Sequence, residues 1–161
     1  MARALAEVAR EDVTLYLTGG ATAVIEGWRP TTIDVDIRLE PDSDALMRRI
    51  VSAKSELDIN VELASPPDFI PELPGWRERS PSVLREGRIT VRHFDLYSQA
   101  LSKIERGFAK DLDDVAAMIG AGLVDPTRLG ELFEEIEAGL HRYPAIDAGA
   151  FRRSVRRALG E

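Results

Sequence analysis

No cysteine occurs in the 161 residues, which excludes disulfides, thiolate nucleophiles and cysteine-ligated zinc. Histidine is nearly as scarce: His93 and His141 stand far apart in the chain and offer little for an imidazole-based metal site. Aromatic residues are few, and Trp28 and Trp76 read as packing residues rather than base-stacking platforms, although Trp76 could border a substrate pocket. Positive charge is in deficit, with a net charge of −7 that argues against a surface coating duplex DNA non-specifically. No run of eighteen apolar residues exists, and MARALAEVAREDV has neither a basic start nor an apolar middle. Export and membrane insertion are therefore not expected, and the reading is cytoplasmic. Carboxylate chemistry is what these absences leave open.

With 44% apolar and 30% charged residues, the chain can bury an ordinary core and stay well solvated. Residues 2 to 10 read as a short helix, and Val13, Leu15 and Leu17 alternate with Thr14 and Tyr16 as in a strand. That strand ends at Gly19-Gly20. ATAVIEGW reads as a short helix or turn, followed by the extended segment TTIDVDIRLE, which Pro41 ends. Leu46, Ile50 and Leu57, supported by Met47, Val51 and Ala53, give residues 42 to 57 helical spacing, with Asp42, Ser43 and Asp44 as caps. INVELA, residues 59 to 64, alternates again. The proline-rich SPPDFIPELPGW reads as a structured surface loop and VLREGRITVRHF as a hairpin turning at Glu86-Gly87. Beyond Asp95 the spacing is helical throughout. The expected architecture is α/β of the α+β kind, a mixed sheet flanked by helices over residues 1–95, followed by a helical region over 96–161.

In IDVDIRLE the apolar residues Ile33, Val35, Ile37 and Leu39 take one face, so Asp34 and Asp36 share the other. Carboxylates at i and i+2 of a strand stand about 6 to 7 Å apart at Cα, close enough to converge on a hard cation. INVELA repeats the alternation and offers Glu62 as a third carboxylate. Three carboxylates around Mg2+ or Mn2+ suit in-line phosphoryl or nucleotidyl transfer, where the ion neutralises polyphosphate charge. Gly19 and Gly20, behind Thr18, lie between a strand and a helix, where backbone N–H groups can approach a triphosphate.

The order strand, TGG, helix, then aspartate-x-aspartate on a strand resembles the DNA polymerase beta-like nucleotidyltransferase superfamily. The resemblance implies that Thr18, Gly19 and Gly20 meet the phosphates of a nucleoside triphosphate, and that Asp34, Asp36 and Glu62 bind magnesium. SKIERGFAKDLDDV, residues 102 to 115, resembles the helical signature of bacterial AbiEii-like and MenT-like nucleotidyltransferases, whose members include toxins of toxin–antitoxin pairs that modify tRNA 3′ ends. By that resemblance Lys103 holds the triphosphate, Asp111 or Asp114 orients Lys103 or assists the active-site metal network, and Arg106 is a second phosphate contact. It further implies an RNA acceptor such as tRNA and a cognate antitoxin protein.

Each of these residues also has a structural reading. Asp34, Asp36 and Glu62 fit the solvated face of a strand, and Lys103 and Arg106 fit ordinary helix ion pairs. Asp111, Asp113 and Asp114 fit caps at the start of a helix, and His93 beside Phe94 reads as structural. Arg152, Arg153, Arg156 and Arg157 suit a solvated helix, a tRNA phosphate contact or a partner surface. The competing functions are a nucleotidyltransferase-fold binding partner with little or no catalysis, and an enzyme modifying a protein or small-molecule hydroxyl.

Overall fold

The computed structural model describes residues 1–160. Along the chain run α1 (Ala2–Ala6), β1 (Val13–Thr18), α2 (Gly19–Ile25), β2 (Asp34–Glu40), α3 (Asp44–Leu57), β3 (Asn60–Leu63), α4 (Trp76–Arg79), β4 (Ser82–Glu86) and β5 (Ile89–His93). Four longer helices follow: α5 (Leu96–Arg106), α6 (Ala109–Gly120), α7 (Pro126–Glu137) and α8 (Ala148–Leu159). No helix among the described residues is long and apolar enough to cross a membrane.

These elements form two compact units. The first comprises Met1–Ser65 and Ser80–Phe94, and the second comprises Pro66–Arg79 with the described residues from Asp95 onward. The first holds a five-stranded mixed sheet in the order β3-β2-β1-β5-β4. β1 runs antiparallel to β2 and parallel to β5, and β3 runs parallel to β2. Alternation puts Val13, Leu15, Leu17, Ile37, Leu39, Val61, Ile89 and Val91 into one core with Leu5 of α1 and Leu46 and Ile50 of α3. Ser43 caps α3 by accepting from the Leu46 amide, and the helix ends at Asp58 in the left-handed conformation.

In the second unit Asp95, Asp125 and Asp147 cap α5, α7 and α8, each accepting a hydrogen bond from the amide three residues on. Phe133 of α7 meets Phe151 of α8 edge to face at 4.9 Å. Asp95 also receives both Arg79 Nε and Arg79 Nη2 at 3.0 Å, a half-buried fork that ties α4 to the start of α5.

The structure corrects several sequence expectations. β2 begins at Asp34, so Ile33 lies outside the strand and is 85% exposed instead of joining the apolar face. Val51 and Leu57 of α3 are exposed too, because the helix needs only one narrow stripe to cover the sheet. The proline-rich segment is more than a surface loop: it has a 3₁₀ turn at Pro66–Asp68, then α4, and it buries Ile70, Leu73 and Trp76. Trp76 is thereby a core residue, with the Arg77 guanidinium over its ring at 4.3 Å. α6 starts at Ala109 with Phe108 as its N-cap, so Asp111 and Asp114 are buried helix residues rather than caps.

Candidate functional site

Strand register assembles the site in the first unit. The antiparallel pairing sets Thr18 opposite Asp36, and the parallel pairing sets Asp36 opposite Glu62 and Asp34 opposite Asn60. In-register partners project to the same face, so Thr18, Asp36 and Glu62 form a row across three strands with Asp34 and Asn60 one step along. This face is the one opposite Ile37, Leu39 and Val61, which are buried. Asp34 and Glu62 are exposed and Asp36 is half-buried.

The glycine corner is built against the same aspartates. Gly19 has φ +58°, a left-handed conformation that favours glycine, and a Cβ there would collide with the Asp36 carboxylate. A Cβ on Gly20 would collide with the Thr32 hydroxyl, which itself donates to the Asp34 carbonyl at 2.9 Å. Both glycines are therefore required by close approach, one to each aspartate's surroundings. Gly19→Ala is expected to cost about 1–2 kcal/mol from the backbone alone and to displace Asp36, so its transfer rate should fall by more than its stability loss explains. Urea titration beside a transfer assay checks this.

The sequence reading assigns no role to two residues of the site. Asn60 Nδ2 donates to Asp34 Oδ1 at 2.7 Å and to Glu62 Oε1 at 3.3 Å, bridging both carboxylates. Its place two residues before Glu62 on an alternating strand was the available signal. Thr32, two residues before Asp34, is the second, a hydroxyl that bonds the local backbone.

Divalent cations such as magnesium want hard oxygen donors in defined geometry. Asp34 and Asp36 meet the first requirement from one face of one strand. Among the described residues no group of three or more His, Asp or Glu side chains is positioned to hold a metal ion. Asp34 and Asp36 thus offer two carboxylates on one face, and Asn60 engages Asp34 at 2.7 Å more closely than Glu62 at 3.3 Å.

Behind the glycine corner, His93 of β5 pins α2. Its Nδ1 lies 3.1 Å from Thr22 Oγ1 and its Nε2 lies 2.8 Å from Glu26 Oε1. A carboxylate only accepts, so Nε2 carries a proton, while the Thr22 hydroxyl donates to the Leu17 carbonyl at 3.2 Å. Burial pushes the His93 pKa below its ordinary value, against the opposing pull of Glu26. A group that resists protonation when folded stabilises the fold above its unfolded pKa of about 6.5, and that contribution fades as pH falls towards the lower folded value. The urea midpoint should therefore drop as pH falls below about 6.5, and the drop should be smaller in His93→Gln.

Lys103, Arg106, Asp111 and Asp114 come together in the second unit. Lys103 Nζ donates to Asp114 Oδ2 at 2.7 Å and to Asp111 Oδ1 at 3.5 Å. Arg106 Nη2 donates to Asp111 Oδ1 at 2.6 Å. Lys103, Asp111 and Asp114 are all buried, whereas Arg106 is exposed. The helix start at Ala109 produces this cluster by turning Asp111 and Asp114 inward towards α5.

A family described as nucleotidyltransferases of unknown function (DUF6036) has a model that matches residues 2–153 of the chain. No curated protein and no solved structure matches it.

Proposed function

The chain belongs to this DUF6036 family of nucleotidyltransferases, and from that premise we propose that it moves a nucleoside monophosphate from a nucleoside triphosphate to an acceptor hydroxyl, releasing pyrophosphate. The observation that carries the reading is the register row of Thr18, Asp36 and Glu62, with Gly19 packed on the Asp36 carboxylate. The mixed five-stranded sheet with its helices is consistent with a nucleotidyltransferase fold.

In this reading Asp34 and Asp36 hold a divalent cation, which supplies charge neutralisation for the triphosphate. Thr18, Gly19 and Gly20 present backbone to the phosphates where side chains would block approach. The acceptor oxygen forms a bond to the α-phosphorus, the bond from that phosphorus to the bridging oxygen breaks, and the hydroxyl proton passes to Glu62. Asn60 orients Glu62 and Asp34 for those tasks. Within the second unit Lys103 is the charge that holds Asp111 and Asp114, and Arg106 pairs with Asp111.

The acceptor in this proposal is RNA, such as a tRNA 3′ end, and the chain acts as the toxin-like member of a toxin–antitoxin pair. The resemblance of residues 102 to 115 to the AbiEii-like and MenT-like helical signature supports this choice. Calorimetry tests the nucleotide step: magnesium-dependent binding of a nucleoside triphosphate should be seen, and should be lost in Asp34→Ala. Binding without any transfer to RNA, protein or small-molecule hydroxyls would favour a fold retained for association.

A further inference from the structure

We propose that the outer face of α8 is the docking surface for the phosphate backbone of a single-stranded RNA, an inference that rests on the reading of the chain as a nucleotidyltransferase acting on RNA. α8 turns Phe151 and Val155 into the helical unit and leaves Arg152, Arg153, Arg156 and Arg157 exposed on the opposite arc. Residues four apart lie one turn along a helix, a rise of about 6 Å, so the four guanidinium groups form two parallel rows. Arg152 Nε donates to Glu137 of α7 at 2.6 Å. Arg153, Arg156 and Arg157 form no ion pair among the described residues.

Charge distribution narrows the partner to a polyanion. Residues 138–161 hold five arginines against two acidic residues, whereas residues 1–137 hold 16 Lys and Arg against 26 acidic residues. The basic stripe is thus local to an otherwise acidic chain. All five cations of that segment are arginine, whose planar fork matches phosphate oxygens in pairs. A lipid surface is disfavoured, since the apolar residues such a helix would insert are consumed in packing. The groove between α7 and α8 is walled by Glu131 and Glu134 as well as by Arg152 and Arg156. An anionic strand is therefore repelled from the groove and runs along the Arg153–Arg157 row outside it.

Fluorescence anisotropy with a labelled, unstructured RNA oligonucleotide and no nucleotide tests this between about 50 and 200 mM salt. Arg153→Gln/Arg157→Gln should bind about tenfold or more weakly, with a salt slope shallower by about 1.4 if each lost arginine neutralises one phosphate. The corresponding double lysine variant should recover most of that slope. Asp34→Ala/Asp36→Ala should retain RNA binding, which separates docking from chemistry. If RNA binding depends on the arginines while no transfer occurs, the docking surface stands and the enzyme reading fails. Wild-type RNA affinity and slope in the glutamine variant overturn the inference. So does equal competition by polyglutamate, which assigns the face to an acidic protein, or a dimer that dissociates in the variant, which assigns it to a second copy.

Discussion

Asp36→Asn should abolish transfer, lowering the rate at least about 1000-fold, or roughly 4 kcal/mol of transition-state stabilisation, with little change in melting temperature. Asp36 is the one residue that joins every part of the proposed site. Its strand neighbours are Thr18 on one side and Glu62 on the other, and its carboxylate rests on Gly19. Asparagine keeps the size and removes the charge, so the substitution tests the carboxylate as a ligand rather than as a spacer. The side chain is only half-buried, which is why the folded state should tolerate the change. A variant that retains transfer within tenfold of wild type would remove Asp36 from the reaction.

The second large effect is on stability. Lys103→Met should destabilise the protein by about 3–5 kcal/mol, because two buried carboxylates lose the ammonium that compensates them. Asp114 Oδ2 receives Lys103 at 2.7 Å, and Arg106 reaches only Asp111. Adding Asp114→Asn to Lys103→Met should restore part of the loss, since it removes one of the two buried charges that the lysine compensates. Urea titration of the four forms measures the coupling. If Lys103→Met instead lowers transfer while leaving the urea midpoint unchanged, the lysine acts on phosphate and not as the charge centre of the second unit.

The sequence made the site face legible because its signal was periodic. Alternation alone sets Asp34, Asp36 and Glu62 on polar faces, and the observed register then brings Asp36 and Glu62 side by side. Register itself is not written in one strand: the pairing of Thr18 with Asp36 arises from how β1 and β2 align, which depends on the whole core. Ile33 illustrates the limit, since strand alternation continues through it while the strand does not. Asp111 and Asp114 illustrate another. Polar residues near a helix start suggest caps, and only the observed start at Ala109, with Lys103 buried opposite, shows them to be an internal ion cluster. Alternation places Asn60 on the polar face with Glu62, whereas its bridging of two carboxylates arises from the folded register. The proline-rich segment reads only as a surface loop because its composition says where donors are missing, not where Ile70, Leu73 and Trp76 bury themselves.

The measurement that bears most directly on the account is transfer of label from an α-phosphate-labelled nucleoside triphosphate, with magnesium and total RNA, while released pyrophosphate is followed in parallel. The account predicts labelled RNA and pyrophosphate in step, both lost in Asp34→Ala/Asp36→Ala. Neither product in any of the four nucleotides, with RNA, protein or small-molecule acceptors, would contradict it.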